Sequence, residues 1–389
     1  MSKVEESLVG PGLPVHSVQV FRAVNNPDLF LGFARYGNCC EVATGTGSSF
    51  EEAKLKAIME AYERKASTSP SRPVIRGSVN SLERRGEICL NLSDYAPLSE
   101  AQSARYRLNI PVPNRKIHWV RGSRWNGESV LVPMDLVFYC YPSKDNLYYA
   151  NSSGVAAHEN ATRAVELALT ELIERDAIMQ NWFKKEAPLR IEPSQIGPDV
   201  KARADYWDSI GRKLTLSQLP SSYGTVILAT ISGEEWPAFV SGAAATISDN
   251  VEATVKKAIS EAEGNFEAYS SETFYLPNPE LCFTPEQHGL LYCDPDRLDK
   301  VKFLLGDQRG SAPEVKTHEL HFLLEELDGV IVWLTSPSSN YVVVRVLSPK
   351  LIPISFGYDF AHYHHKVLWE NCELNDFSKE EIAFPHYFP

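Results

Sequence analysis

The chain has 389 residues, 43% of them hydrophobic and 23% charged, with a formal net charge of −12. That describes a globular protein able to bury one large core or two of ordinary size. No apolar run reaches the ~18 residues a membrane span requires, and an acidic balance without a basic tract argues against nucleic-acid or anionic-membrane partners.

Met1-Ser2-Lys3-Val4-Glu5-Glu6 lacks the basic-then-apolar order of a secretory signal. The seven cysteines (Cys39, Cys40, Cys89, Cys140, Cys282, Cys293 and Cys372) are odd in number, scattered and form no C-x-x-C. A reducing cytoplasm with free thiols is therefore expected, not a disulfide or zinc framework. Cys39-Cys40 reads as a pair of buried small residues, since spacing assigns no histidine partner for a nucleophile.

The small-residue segment from Ala43 runs into Ser49-Phe50-Glu51-Glu52, a capping box that opens a first helix. That helix carries Ala57-Ile58-Met59-Glu60-Ala61-Tyr62-Glu63-Arg64. A strand is predicted over Ser129–Tyr141, rich in Val, Leu and Tyr. After Asn151 to Ala157, Asn160 can cap a second helix with Ala168-Leu169-Thr170-Glu171-Leu172-Ile173-Glu174-Arg175. A strand over Thr225–Ser232 and the segment Ser241 to Ala245 precede Asp249-Asn250-Val251-Glu252, a box-like start for a third helix. Its motif, Ala258-Ile259-Ser260-Glu261-Ala262-Glu263-Gly264-Asn265, is a worn copy of the first two. Two more strands are predicted over Val330–Thr335 and Tyr341–Leu347. His318 and His321 have no evident third ligand and read as structural. His362, His364 and His365 beside Asp359 read as an exposed turn rather than a metal site.

Copies offset by 111 and 90 residues are too long and too unequal in period for a solenoid. They predict an α+β fold whose layers are built from three related strand–turn–helix units, near 39–70, 149–182 and 236–270, within a single domain over 1–389. In the first two copies the glutamates are three apart, which puts both carboxylates on one helix face. One E-x-x-E-R alone is an ordinary solvated face. Its repetition, with the alanine three before the first glutamate and the closing arginine kept, points to function. Glu60, Glu63, Glu171 and Glu174 would repel one another unless a cation or protons neutralise them. Hard oxygen ligands suit Mg²⁺, which takes one or two carboxylates plus phosphate oxygens. Arg64 and Arg175 could hold phosphate or the carboxylates. Gly47 and Ser48, in Gly45-Thr46-Gly47-Ser48-Ser49, could offer amides to a phosphate at a helix start, or form a plain strand-to-helix turn.

These helices, the lead-in Asn151-Ser152-Ser153-Gly154-Val155-Ala156-Ala157, and Glu171-Leu172-Ile173-Glu174-Arg175-Asp176-Ala177 resemble the YcaO family over roughly Val42 to Ser270. The resemblance implies ATP bound through Mg²⁺ on glutamate-rich helices around a central site, with no P-loop, and ATP-dependent activation of a peptide backbone amide. In azoline-forming members a Cys, Ser or Thr side chain attacks the preceding carbonyl and phosphorylation turns its oxygen into a leaving group. Such members end in a P-x-P-x-P tail. Phe384-Pro385-His386-Tyr387-Phe388-Pro389 keeps two of those prolines, with Tyr387 in place of the third. The resemblance makes Pro389, His386 and Arg175 the expected catalytic groups, and makes Glu261 a nucleotide contact. It implies a precursor peptide as substrate and a separate leader-binding partner like the ubiquitin-activating-enzyme fold, since a first repeat near residue 39 leaves no room for a fused one. A flavin dehydrogenase of the same pathway and a homodimer complete the expected partners. Thioamide formation, macroamidine formation and a non-catalytic accessory role are the alternatives. Arg163 departs from the family where a further acidic ligand is common, and Gly264 and Asn265 depart in the third copy.

Overall fold

The three motif helices form, and each follows directly on a strand. The computed structural model describes residues 3–26, 28–37, 41–68, 70–71, 73–95, 98–110, 112–139, 145–148, 151–270, 276–305, 310–358 and 384–389. Cys39-Cys40 and the Asp359 to His365 cluster lie outside the described residues. In chain order the elements are α1 (Lys3–Leu8), β1 (Val15–Arg22), β2 (Phe30–Tyr36), β3 (Glu41–Gly47), α2 (Phe50–Ala66), β4 (Ile75–Gly77), α3 (Val79–Glu83), α4 (Glu100–Arg105), β5 (Ile117–Ser123), β6 (Ser129–Pro133), α5 (Met134–Val137), β7 (Val155–His158), α6 (Ala161–Lys184), β8 (Leu189–Ile191), α7 (Pro198–Ser209), β9 (Lys213–Leu219), β10 (Thr225–Ser232), β11 (Phe239–Thr246), α8 (Val251–Ser270), α9 (Pro285–Tyr292), α10 (Leu320–Glu326), β12 (Val330–Trp333) and β13 (Val342–Leu347).

Among the described residues the strands pair into sheets of order β1-β2-β3, β11-β10-β9-β8 and β4-β5-β12-β13-β7, with β6 added on β5. Every named pairing is antiparallel. This is α+β layering, without the parallel ladder that a doubly wound sheet requires. β10 spans the predicted Thr225–Ser232 and is buried almost throughout. The strand predicted over Ser129–Tyr141 is shorter. It stops at Pro133, and Met134–Val137 turns once as helix, because Pro133 has no N–H to carry a ladder onward.

Asn160 caps α6 as expected, its side chain accepting from the Arg163 N–H at 2.9 Å. Ser49 caps α2 by accepting from the Glu52 N–H at 3.2 Å. The reciprocal arm of the expected box goes elsewhere: the Glu52 carboxylate accepts from the Ser48 N–H and hydroxyl, each at 2.9 Å.

β3, β7 and β11, the strands that lead into α2, α6 and α8, each belong to a different sheet, yet the three strand–helix pairs close on one another. α2 packs on β7, α6 on β11, and α8 on β3. The strand–helix contacts are tight. A Cβ at Gly242 of β11 would come within 2.3 Å of the Ala262 N and 2.6 Å of the Ala258 O, so only glycine lets α8 lie this close. α6 is the central helix: Ala164, Ala168, Leu169, Ile173, Ala177 and Ile178 are completely or almost completely buried. Tyr387 and Phe388 at the far end of the chain join its core.

Candidate functional site

The ring of helices brings the predicted carboxylates together. Glu60 and Glu63 come from α2, Glu171 and Glu174 from α6, and Glu261 from α8. Burial raises the affinity of Glu63 for its proton well above the ordinary carboxylate range, and the charges of Glu60 and Glu171 raise it further. Burial does the same to Glu171, opposed by Arg175 and reinforced by Glu60. Glu174 is raised by burial, with Lys257 opposing and Glu171 adding. Glu261 is pushed up to about 8, first by burial and then by Glu174. The charge of Glu60 thus acts on Glu63 and Glu171, that of Glu171 on Glu174, and that of Glu174 on Glu261, one electrostatic chain across three helices.

Arginines brace this chain. Arg64 donates from Nε to Glu60 at 2.7 Å. Burial works against the Arg64 charge, but Glu60 outweighs it and holds the guanidinium more firmly protonated than usual. Arg175 pairs with Glu171 at 2.6 Å and donates to the Ser153 hydroxyl at 2.6 Å. The other Glu171 oxygen accepts from the Gly154 N–H at 2.8 Å, so the predicted lead-in loop orients this carboxylate directly. Glu261 accepts from the Ala243 N–H at 3.0 Å. At Gly47-Ser48 both Ser48 donors are engaged by Glu52, so a phosphate there must displace that carboxylate. Arg163, the departure, pairs with Glu166 on the exposed start of α6.

The worn third copy has a packing reason. Gly264 stands where Glu63 and Glu174 stand in the other two, and a Cβ there would meet Thr46 Cγ2 at 2.6 Å. That position is taken up by the contact of α8 with β3. Asn265, at the place of Arg64 and Arg175, donates to the Ser241 carbonyl at 2.8 Å. Glu263 faces away from the site. It pairs with Arg203 of α7 and accepts from Trp207 Nε1 at 3.1 Å.

The chain's last described residues run beside this cluster. The Tyr387 carbonyl accepts from the Ser241 hydroxyl at 3.3 Å, two residues before Ala243. Tyr387 packs edge-on to Trp182 and Phe239. His386 is buried. Its Nδ1 accepts from the Phe388 N–H at 3.3 Å, so Nε2 carries the proton and donates to the Ser355 carbonyl at 2.9 Å. Burial lowers its pKa to about 3, with Lys185 and Arg175 among the charges that keep it neutral.

Two charged residues at this site were not singled out from the sequence. Lys257 lies four residues before Glu261, and its charge acts on Glu171, Glu174 and Glu261. The available signal was a lysine one helical turn from a motif glutamate. Arg345 is 4% exposed on β13; the signal was a single charge inside the run Val342-Val343-Val344-Arg345-Val346. It donates to the Asn151 and Val137 carbonyls at 2.8 and 3.2 Å. Burial lowers its pKa to about 10, with Glu171 and Glu63 among the charges that oppose the fall.

Arg175 Nε, Arg345 Nε and the Tyr139 hydroxyl are buried without a hydrogen-bond partner among the described residues. Buried donors of this kind are rare unless another group completes them. No three acidic, histidine or cysteine groups among the described residues form a ready metal cage. The donor set nonetheless fits Mg²⁺ bridged by phosphate, which needs one or two carboxylates per ion and takes its other ligands from phosphate and water.

A family model described as YcaO cyclodehydratase, ATP- and Mg²⁺-binding, matches residues 44–352. The chain belongs to the YcaO family. Among solved structures it resembles YcaO from Methanopyrus kandleri bound with AMPPCP and Mg²⁺, at 20% identity and a TM-score of 0.62, over 87% of this chain and 86% of that one. It also resembles a heterocyclase in complex with substrate and cofactor, at 15% identity and a TM-score of 0.74, over 97% of this chain and 55% of the other. The E. coli microcin synthetase McbBCD complex with pro-MccB17 bound matches at 13% identity and a TM-score of 0.70, over 96% of each chain. An uncharacterised protein of Methanothermobacter thermautotrophicus is 23% identical over 201 residues, 50% of this chain and 48% of the relative. The chain thus spans about half the length of that relative and of the heterocyclase. ATP and Mg²⁺, expected from the sequence, are the cofactors in the family description. Among the described residues no helix is long and apolar enough to cross a membrane.

Proposed function

We propose that this YcaO protein activates a backbone amide of a ribosomally made peptide with ATP and closes Cys, Ser or Thr side chains into thiazoline or oxazoline rings. The observation that carries this reading is the chain of five carboxylates from three helices, edged by orphaned donors, in a member of an ATP- and Mg²⁺-binding cyclodehydratase family. Glu60, Glu63, Glu171 and Glu174 would hold Mg²⁺, which supplies positive charge against the phosphoryl oxygens. Arg64, Arg175, Glu261, Gly47 and Ser48 are assigned to the nucleotide. The substrate's nucleophile attacks the preceding carbonyl carbon and closes the ring as it gives up its proton, the former carbonyl oxygen takes the γ-phosphoryl group as ADP departs, and loss of phosphate together with the amide N–H proton leaves the C=N bond of the azoline. An amide oxygen leaves poorly; a phosphate leaves readily.

Arg175 lies within electrostatic range of His386, which supports placing the reacting amide between α6 and the segment from His386 to Pro389. His386 can give a proton only by releasing Ser355 and take one only by releasing Phe388, since both ring nitrogens are engaged. We read residues 1–389 as one domain and the three strand–helix pairs as versions of one unit. The protein would work in the cytoplasm as a homodimer, with a separate leader-binding partner and with a flavin dehydrogenase acting after it. The test is mass spectrometry of a partner-delivered precursor peptide with ATP and Mg²⁺. Loss of one water per ring, abolished by Glu171→Gln, supports the reading. Exchange of oxygen for sulfur transfers it to thioamide formation. A peptide left unchanged by the complete system, with no phosphate released, overturns it in favour of an accessory role.

A further inference from the structure

Residues 351–357 pass between α6 and the C-terminal segment without joining a ladder. Leu351, Ile352, Ile354 and Ser355 are nonetheless buried. Buried backbone outside regular structure must find side-chain partners for its polar groups, and here those partners come from functional elements. The Ile352 N–H donates to Asp176 Oδ1 at 2.8 Å, one residue after Arg175. The Ile354 carbonyl accepts from Asn151 Nδ2 at 2.7 Å, in the loop whose Gly154 holds Glu171. The Ser355 carbonyl accepts from His386 Nε2 at 2.9 Å, and the Gly357 N–H donates to His288 Nε2 at 3.0 Å. The strap is therefore tied to the carboxylate helix at one end and to the C-terminal segment at the other.

Asp176 is the residue that fixes its register. It is 1% exposed, and its second oxygen accepts from Gln180 Nε2 at 2.8 Å. A buried carboxylate is costly unless its hydrogen bonds repay the desolvation, and packing alone would be served by an apolar side chain. We infer that Asp176 is a positioning residue: through the strap at 351–357 it sets where residues 384–389 lie relative to Glu171, Glu174 and Arg175. The link from strap to C-terminal segment rests on this geometry. Its bearing on turnover rests on the cyclodehydratase reading.

Hydrogen exchange on the full chain, read by mass spectrometry on peptides covering 350–357 and 384–389, tests the link without ligand. In Asp176→Ala both peptides are expected to exchange about 10- to 100-fold faster, the size of losing a hydrogen bond to a buried polar partner, while α2 and α8 keep wild-type rates. In Asp176→Asn, whose amide oxygen can still accept from Ile352, protection is expected to return in both. Should Asp176→Ala fail to fold, truncation after residue 383 serves as the reciprocal test, since coupling runs both ways: the 350–357 peptide should lose protection to a similar degree. Unchanged exchange at 384–389 in Asp176→Ala, or uniform acceleration across every helix, overturns the inference. Unchanged exchange at 350–357 after truncation does so as well. Faster exchange at 384–389 with undiminished peptide turnover leaves the strap standing and removes the C-terminal segment from the reaction.

Discussion

Nucleotide binding by this protein should release protons, and Glu261 sets the scale. Its pKa in the ligand-free protein is about 8, so the side chain is roughly nine-tenths protonated at pH 7 and one-tenth at pH 9. Mg²⁺ held by Glu174 and the other motif carboxylates would place positive charge beside Glu261 and favour its ionised form. Binding of an ATP analogue with Mg²⁺ should therefore expel about 0.9 proton at pH 7 from this group alone, and tighten about tenfold between pH 7 and pH 9. Glu63, Glu171 and Glu174 are shifted in the same direction and add to the release. Stability follows with the opposite sign. A carboxylate raised in the folded state contributes most below its ordinary 4.5 and loses that contribution as pH climbs through about 8. The ligand-free protein should therefore melt at lower temperature across that window, and Mg²⁺ with nucleotide should restore it. Calorimetry in buffers of differing ionisation heat counts the protons directly, and Glu261→Gln should flatten the pH slope. An affinity that does not change from pH 7 to 9, with no proton released, would refute the reasoning.

Arg345→Met should leave the fold of β13 intact but weaken Mg²⁺-dependent nucleotide binding by ~10-fold or more, since it removes the charge near Glu63 and Glu171 and the anchor of Asn151. Arg203→Met strips the charged partner from Glu263, whose side chain is 1% exposed and, among the described residues, keeps only neutral Trp207 Nε1; a loss of ~3 kcal/mol in urea unfolding is expected, with nucleotide affinity unchanged. Gly242→Ala pushes a methyl group into the α8 backbone and should cost ~1–3 kcal/mol of stability by overpacking, read from the thermal midpoint.

The motif helices were legible because their signals are local. Alanine spacing, caps and paired glutamates all survive folding, and β10 was legible as an unbroken run of buried β-formers. What was not legible depends on register between distant elements. The worn third copy looks like decay in the sequence, whereas a Cβ at Gly264 would meet Thr46 Cγ2 at 2.6 Å, more than two hundred residues away in the chain. Glu263 sits beside a motif glutamate in sequence but turns to α7, because neighbouring helix positions face different directions. Lys257 and Arg345 acquire their meaning only where folding brings α8 and β13 within reach of the α6 glutamates. The strand expected over 129–141 ends at Pro133, whose missing N–H stops the ladder there.

The most direct test of the central claim is calorimetric binding of an ATP analogue to the purified chain, with and without Mg²⁺, compared with Glu60→Gln and Glu171→Gln. The carboxylate site predicts binding that requires Mg²⁺ and weakens ~10-fold or more in each variant, since even outer-shell partners of a metal contribute ~10–100-fold. Binding of equal strength without Mg²⁺, or unaffected by both substitutions, would contradict it.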